Sequence, residues 1–153
     1  MKRKWFLIIC ISICISVLGV HSLLFADESE DFRVIVHQSN PYSEITLEEL
    51  SNMFLKKVSR WENSSELVHP VDLLDDSPVR ELFSKVVHGR KVASIKAYWQ
   101  RQIFSGREIP PPEQETDRDV LEFVAQKSGA IGYISASIDM SEYDVKVITI
   151  IEE

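Results

Sequence analysis

The sequence predicts an α/β fold, a mixed β-sheet flanked by helices, for one domain over residues 32–153. Three observations support this fold class. Runs rich in β-branched residues indicate buried strands. Apolar residues at helical spacing behind good N-cap residues indicate amphipathic helices. The two kinds of segment follow one another in the order β-α-β-α-α-α-β-β, without a repeat or a domain-sized linker, so a single core is expected.

The first strand and the first helix are predicted between residues 32 and 54. Phe32–His37 is rich in β-branched residues, which is typical of a buried strand. Thr46 and Glu49 have the spacing of a capping box, in which the hydroxyl and the carboxylate each accept an early amide. Apolar residues then recur at helical spacing: Leu47, Leu50, Met53 and Phe54.

A second strand, Leu67–Leu74, is predicted to lead into a second helix. Ser77 is the expected N-cap, and Pro78 suits the first helical position because its fixed φ is already helical. Gly89 is expected to end the helix, since glycine adopts the left-handed conformation found there. The predicted apolar face consists of Val79, Leu82, Phe83 and Val86.

A third helix is predicted over Val92–Ile103, with Val92, Ile95, Trp99 and Ile103 buried. Three consecutive prolines at 110–112 then require an irregular or extended connection, because proline lacks the amide that helices and central strands use.

The last helix is predicted to begin at a cap formed by Thr116 or Asp117 and to end at Gly129. Its inward residues are Val120, Leu121 and Val124. Two strands, Ala130–Ser135 and Val145–Ile151, are expected to complete the sheet.

Residues 1–26 have the pattern of a secretory signal peptide: three cations at positions 2–4, an apolar run at 5–20 and Ala26 as the cleavage point. The alternative is a retained membrane anchor, but the apolar run falls short of the ~20 residues that span a bilayer. Cys10 and Cys14 both lie in this segment, so the mature chain would contain no thiol or disulfide. Residues 27–31 are expected to form a disordered acidic tail. The mature protein is therefore predicted to be periplasmic.

The mature chain is acidic. Removing residues 1–26 removes three cations and no acid, so its formal charge is 14 − 24 = −10. Nucleic-acid binding depends on neutralising phosphates, so no nucleic-acid partner is expected. The same balance argues against a polybasic role at a membrane surface. It does not argue against a local anion site, because backbone amides can supply the attraction.

Three segments together resemble the periplasmic phosphate-binding proteins of ABC transporters. The first runs from Pro41 to Trp61, with a leucine-containing short helix followed by Phe-Leu, Lys-Lys and Arg-Trp. In the second, Asp76-Ser77 precedes a helix that contains Phe83. The third, Asp119–Tyr133, ends in Val-Ala-Gln-Lys-Ser-Gly-Ala-Ile-Gly-Tyr. The resemblance implies a single periplasmic-binding-protein-like lobe, because full-length members clamp the anion between two lobes and this chain is about one lobe long.

The phosphate loop of that family, Ser-Gly-Thr, appears here as Ser77-Pro78-Val79. Pro78 removes one amide donor, and Val79 replaces a hydroxyl donor with methyl groups. Asp75 and Asp76 place two carboxylates next to the anion, and two acids without a matched cation are costly there.

The candidate ligand-binding residues for phosphate or another oxyanion are nevertheless Ser77, the amides of Val79 and Arg80, the Arg80 side chain, and Asp76 as an acceptor for a phosphate proton. The alternative is that Ser77 only starts a helix and that Arg80 is a solvated surface residue. Secondary candidates are Ser105, Gly106 and Arg107. These three residues can equally form a helix C-cap with a cation at its negative end.

No catalytic residues, metal ligands or cofactor are predicted. The chain lacks the motifs of a nucleophile elbow, a P-loop and a zinc-protease helix, and its mature histidines have no metal-site spacing. We expect an exported solute-binding domain for ABC-type uptake or sensing that binds phosphate or a related oxyanion. Its expected partner is an ABC permease or another membrane protein, and a homodimer would place two sites face to face. The alternative function is a ligand-free interaction or adaptor module that retains the fold.

Overall fold

A computed structural model describes residues 31–151. The predicted signal peptide, residues 27–30 of the expected tail and residues 152–153 lie outside the described residues. Asp31, the last residue of that tail, precedes the first strand, and its carbonyl accepts a hydrogen bond from the Ala136 amide at 2.8 Å.

Residues 31–151 form four helices and eight strands, and the predicted α/β class is confirmed. The elements are β1 Phe32–His37, β2 Glu44–Thr46, α1 Leu47–Phe54, β3 His69–Pro70, β4 Asp72–Leu73, α2 Pro78–His88, α3 Val92–Phe104, β5 Glu113–Gln114, α4 Asp117–Ala125, β6 Ala130–Ser135, β7 Val145–Val147 and β8 Thr149–Ile151.

The main sheet has four strands in the order β3-β6-β1-β7. It is mixed, because β3 is parallel to β6 whereas β6 and β7 are both antiparallel to β1. Gly132 of β6 faces α4, since a Cβ at this position would come closest to Val120 of that helix. Tyr133 stacks on Phe83 of α2 with ring centroids 3.8 Å apart. Adjacent strand residues point to opposite faces, so helices flank the sheet on both sides, as predicted.

The single strand predicted at Leu67–Leu74 is wrong. Its first part, β3, pairs with β6, and its second part, β4, pairs with β5 in a separate two-stranded sheet. The change of partner occurs within two residues, since the Val71 amide bonds the Ile131 carbonyl and the Asp72 amide bonds the Pro112 carbonyl. The proline segment thus leads into a strand that pairs with β4.

The predicted closing strand Val145–Ile151 is also divided. β7 pairs with β1 in the main sheet, whereas β8 pairs in parallel with β2 in a third, two-stranded sheet. Ile148 lies buried between them, and its amide bonds the Val34 carbonyl at 3.0 Å. Both corrections have the same cause: one extended segment can contribute strands to two sheets when its hydrogen-bond partners change midway.

Helix ends follow the predicted caps. Thr46 with Glu49 and Thr116 with Asp119 both form complete capping boxes. Ser77 caps α2 with Pro78 at its first turn, and Gly89 ends it with φ 61°. The predicted end of α4 at Gly129 is wrong: the helix ends at Ala125, with Gln126 as its C-cap. α3 extends one residue beyond the predicted Ile103, to Phe104.

The buried face of α2 differs from the predicted one. Its buried residues are Arg80, Phe83, Ser84 and Val87. Phe83 alone belongs to the predicted face, and Val86 is exposed. The helix turns this way because Phe83 packs between Phe54 and Tyr133. Ile103 of α3, also predicted to be buried, is exposed. Within residues 31–151, none of the helices has the length and apolar composition needed to cross a membrane.

Candidate functional site

The candidate anion site lies where β4 passes into α2. β4 ends at Leu73, a turn follows, and the Ser77 amide bonds the Leu74 carbonyl at 3.0 Å. Ser77 then caps the helix: its Oγ accepts the Arg80 amide at 3.4 Å. This distance is long for such a bond, and the hydroxyl proton of Ser77 remains available as a donor.

The first turn of α2 offers few free amides to an anion. A helix leaves its first amides without an intrahelical partner. Here Pro78 has no amide hydrogen, the Arg80 amide bonds Ser77 Oγ, and the Glu81 amide bonds the Ser77 carbonyl at 3.1 Å. In the described chain, the Val79 amide makes no intramolecular hydrogen bond, so it is the amide of this turn that can bind an anion. The helix dipole adds to its attraction for a negative group.

The Arg80 side chain lies beneath the helix rather than on the surface, so the interpretation of Arg80 as a solvated residue is wrong. Its side chain is 3% exposed, and its Nη1 lies 2.5 Å from Asp72 Oδ1. The same nitrogen donates to the Leu73 carbonyl at 2.6 Å. Arg80 Nη2 lies 3.6 Å from Glu113 Oε1, and the buried Nε has no hydrogen-bond partner. Most of the positive charge of Arg80 is therefore balanced inside the protein.

Asp72 is the acidic partner in this buried network. Burial raises the pKa of its carboxyl from 3.8 to about 6, while the Arg80 guanidinium and the Tyr133 hydroxyl favour the ionised form. The Tyr133 hydroxyl donates to Asp72 Oδ1. Burial and the adjacent Asp72 charge raise the pKa of Tyr133. At neutral pH the network is therefore an ion pair supported by a neutral phenol.

A second cation stands beside the turn that precedes α2. Lys96 of α3 pairs with Asp75 Oδ2, and the hydrogen bond to Asp75 raises the pKa of the Lys96 ammonium. Asp76 is exposed. The turn thus contains two carboxylates, one of which is balanced by an exposed lysine, and this arrangement lowers the local cost of an approaching anion.

The secondary candidates Ser105, Gly106 and Arg107 are exposed at the end of α3. Gly106 has φ 66°, and its amide bonds the Ile103 carbonyl at 3.0 Å, which is the C-cap alternative stated above. No hydrogen bond or ion pair joins these residues to the α2 turn in the described chain. The structure therefore does not bring the two groups of candidates together.

Sequence reasoning missed Asp72, Tyr133 and Lys96. Asp72 carried a signal, since it is the acid inside an otherwise apolar strand segment, and a buried acid normally has a partner. The sequence also contains a signal that Arg80 could be buried: Arg80, Phe83, Ser84 and Val87 have the same helical spacing as the residues of the predicted face. Within residues 31–151, no group of three or more His, Cys, Asp or Glu is arranged to bind a metal ion.

Solved structures of similar fold include phosphate-transport proteins. The chain superposes with a TM-score of 0.61 and 21% identity on a Clostridium perfringens protein described as a phosphate ABC transporter substrate-binding protein with bound phosphate; 78% of this chain and 44% of that chain are covered. An ABC-type phosphate transport receptor from Vibrio cholerae gives a TM-score of 0.58 and 21% identity, covering 76% and 44%. PstS from Borrelia burgdorferi gives a TM-score of 0.55 at 15% identity, and the superposition covers 78% of this chain and 46% of that chain.

These similarities confirm the predicted fold, that of a periplasmic-binding-protein-like lobe. The chain spans less than half the length of each of these proteins. No protein-family model matches the sequence. No curated protein matches it either.

Proposed function

We propose that this chain, which has the fold of one lobe of a phosphate-binding protein, is an exported solute-binding domain that recognises phosphate or a related oxyanion at the N-terminus of α2. The observation that carries the proposal is the Ser77-capped helix start that directly follows β4, within a fold whose solved relatives include a protein with bound phosphate. Export depends on the predicted signal peptide in residues 1–26.

The contacts would come from three groups. The Ser77 hydroxyl and the Val79 amide would each donate one hydrogen bond, and the positive end of the α2 dipole would add to both. Lys96 would contribute charge by turning from Asp75 toward the anion, since exposed ion pairs are weak and are readily exchanged. Arg80 would not contact the anion. Its ion pair with Asp72 would instead hold the first turn of α2 in place on β4.

Affinity is expected to be modest for an isolated lobe. Two donors and one exposed cation leave most of the anion in water, and tight small-molecule sites enclose most of their ligand. A permease, another membrane protein or a second copy of the chain would have to cover the open side. The homodimer and the permease partner are both part of this proposal.

Calorimetric titration of the chain with phosphate at low salt, with sulfate as comparison, tests the proposal. Saturable binding that weakens at least about fivefold in Lys96→Gln, and stays unchanged in the matched control Lys85→Gln, would support it, because fivefold corresponds to about 1 kcal/mol for one charge. Ser77→Ala removes the hydroxyl donor and should also weaken binding. Absence of heat at millimolar phosphate would reject the proposal.

One observation favours the second function, a ligand-free interaction module. The guanidinium expected to bind the anion is instead neutralised by Asp72 inside the protein. If titration shows no anion binding while the chain remains folded, the adaptor function becomes the better account.

A further inference from the structure

The charges of this acidic chain are unevenly distributed. Residues 82–107, which cover the second half of α2 and all of α3, contain six cations and no acid; the rest of the chain therefore has a formal charge of −7 − 6 = −13. All six cations are exposed: Lys85, Arg90, Lys91, Lys96, Arg101 and Arg107. We call residues 82–107 the basic segment.

Large apolar side chains project from the end of this basic segment. Phe104 is 91% exposed, Ile109 is 66% exposed and Ile103 is 50% exposed. We call these three residues the apolar tip. A shallow depression of about 340 Å³ between Ile103 and Ile109 is also lined by Arg107 and Glu108. Three strongly exposed apolar residues within seven positions form a patch of the kind that marks an interaction site.

The backbone that carries the apolar tip is well fixed. The amides of Gly106 and Arg107 bond the carbonyls of Ile103 and Gln102, at 3.0 and 3.1 Å, and Gly106 supplies the left-handed φ that this turn needs. Pro111, two residues beyond Ile109, is buried. The apolar side chains are thus presented outward by an ordered turn.

We propose that this chain binds the surface of an anionic phospholipid bilayer, with the apolar tip inserted among the lipids and the basic segment next to their head groups. Peripheral proteins bind in this way when apolar side chains are flanked by Lys and Arg. Each cation near an anionic surface strengthens binding by about fivefold. Arg101 and Phe104 lie three residues apart on α3 and are both exposed, so a cation that forms no ion pair within residues 31–151 can meet the same surface as the apolar tip.

The overall negative charge does not prevent this contact. Charges separated by more than ~8 Å are largely screened at physiological ionic strength. The bilayer is therefore attracted or repelled mainly by the protein charges nearest to it. The expectation that the chain has no polybasic role at a membrane was based on its net charge, which does not describe how the charges are distributed. The basic segment supplies locally what the whole chain lacks.

A bilayer fits this surface better than a protein does. A stable protein interface buries ~800 Å² on each partner around an apolar centre, whereas the apolar tip has three side chains at a projecting turn. An anionic bilayer accommodates both the projecting apolar side chains and the cations beside them without a complementary pocket.

Hydrogen exchange of the full chain with lipid vesicles tests the proposal. The apolar run at residues 5–20 can itself bind lipid, so bulk binding alone is not informative; exchange followed peptide by peptide locates the contact. We expect vesicles of two parts phosphatidylcholine to one part phosphatidylglycerol to protect residues 100–110, and pure phosphatidylcholine to protect them little. Raising the salt tenfold should remove most of the protection.

Two variants and two matched controls separate the contributions. Phe104→Ser with Ile109→Ser should reduce the affinity for anionic lipid, read from the lipid concentration that half-protects residues 100–110, roughly tenfold or more, because the apolar insertion is lost. Arg90→Gln with Arg101→Gln should reduce it by about tenfold or more. Leu67→Ser with Val147→Ser, and Arg118→Gln with Lys127→Gln, alter exposed residues outside the basic segment and should change affinity less than about twofold.

Two results would overturn the proposal. The first is unchanged exchange of residues 100–110 on anionic vesicles. The second is protection of the same residues in the absence of lipid that increases with protein concentration, since the tip would then be an interface between copies of the chain.

Discussion

Arg80 of α2 and Asp72 of β4 form a buried ion pair, with Arg80 Nη1 2.5 Å from Asp72 Oδ1 and side chains 3% and 9% exposed. The pair joins the second helix to a strand that belongs to a different sheet from its neighbour β3. Together with the packing of Phe83 on Tyr133, it keeps one side of α2 inward, and it places the arginine expected to bind an anion beneath the helix instead.

Removing the arginine should strongly destabilise the protein. Arg80→Met keeps most of the side-chain volume but leaves the Asp72 carboxylate buried without its cation, which typically costs about 3–5 kcal/mol. Urea unfolding at pH 7 measures the loss, and Arg118→Met, at an exposed position, should stay within about 0.5 kcal/mol of the parent. Arg80→Met with Asp72→Asn should recover part of the loss, because no unpaired charge then remains. A loss below about 1 kcal/mol in the single variant would contradict the burial of the pair.

Stability should depend on pH through two groups that act in opposite directions. Burial raises the pKa of Asp72 to about 6, so the folded state binds this proton more tightly than the unfolded chain, and the Asp72 contribution falls as pH rises from about 4 to about 6. Burial and nearby cations lower the pKa of His88 from 6.5 to about 4, so its contribution rises between about 4 and 6.5.

A single variant separates these two slopes. In His88→Gln the rising contribution is lost, so the free energy of unfolding of the parent minus that of the variant should increase by about 1–3 kcal/mol from pH 4 to pH 6.5. Urea unfolding at four pH values within this range gives the difference. A constant difference would mean that His88, whose Nδ1 lies 2.9 Å from Ser51 Oγ, titrates normally.

A methyl group at Gly132 should disturb the packing of α4 on the sheet. An added Cβ would lie 2.7 Å from Val120 Cγ1 and 2.9 Å from Val71 Cγ1. We expect Gly132→Ala to cost about 1–3 kcal/mol, as overpacked cores do. Adding Val120→Ala should cost less in this background than in the parent, because it makes room for the new methyl group. Thermal unfolding of the four proteins completes the cycle, and simple additivity would refute the proposed close approach.

The two types of N-cap should differ in strength. In α4, Thr116 Oγ1 accepts the Asp119 amide at 3.2 Å and the Asp119 carboxylate accepts the Thr116 amide at 3.1 Å. Ser77 accepts one amide at 3.4 Å. Thr116→Ala should therefore cost about 1 kcal/mol, and Ser77→Ala less. Chemical denaturation of both variants ranks them; an equal or larger loss for Ser77→Ala would contradict the geometric argument.

The site was predictable only in part. Ser77 with Pro78 as the start of α2 followed from local chemistry, and the resemblance to phosphate-binding proteins led to the fold that the solved structures confirm. The environment of Arg80 is not predictable in the same way, because its partner Asp72 lies in the run Leu67–Leu74, for which the sequence predicts one continuous strand. Phosphate binding by Ser77, Val79, Arg80 and Asp76 stays a prediction.

The sequence by itself determined the features whose partners lie within four residues: the capping boxes of α1 and α4, the glycine that ends α2 and the inward face of α4. These depend on local hydrogen bonds and side-chain spacing, which any copy of the segment would reproduce. The tertiary structure alone decided which of two equally spaced faces of α2 is buried and where the run Leu67–Leu74 changes sheets. Both outcomes depend on residues far along the chain, since Tyr133 supplies the ring against Phe83 and the phenol on Asp72, and Pro112 accepts the Asp72 amide.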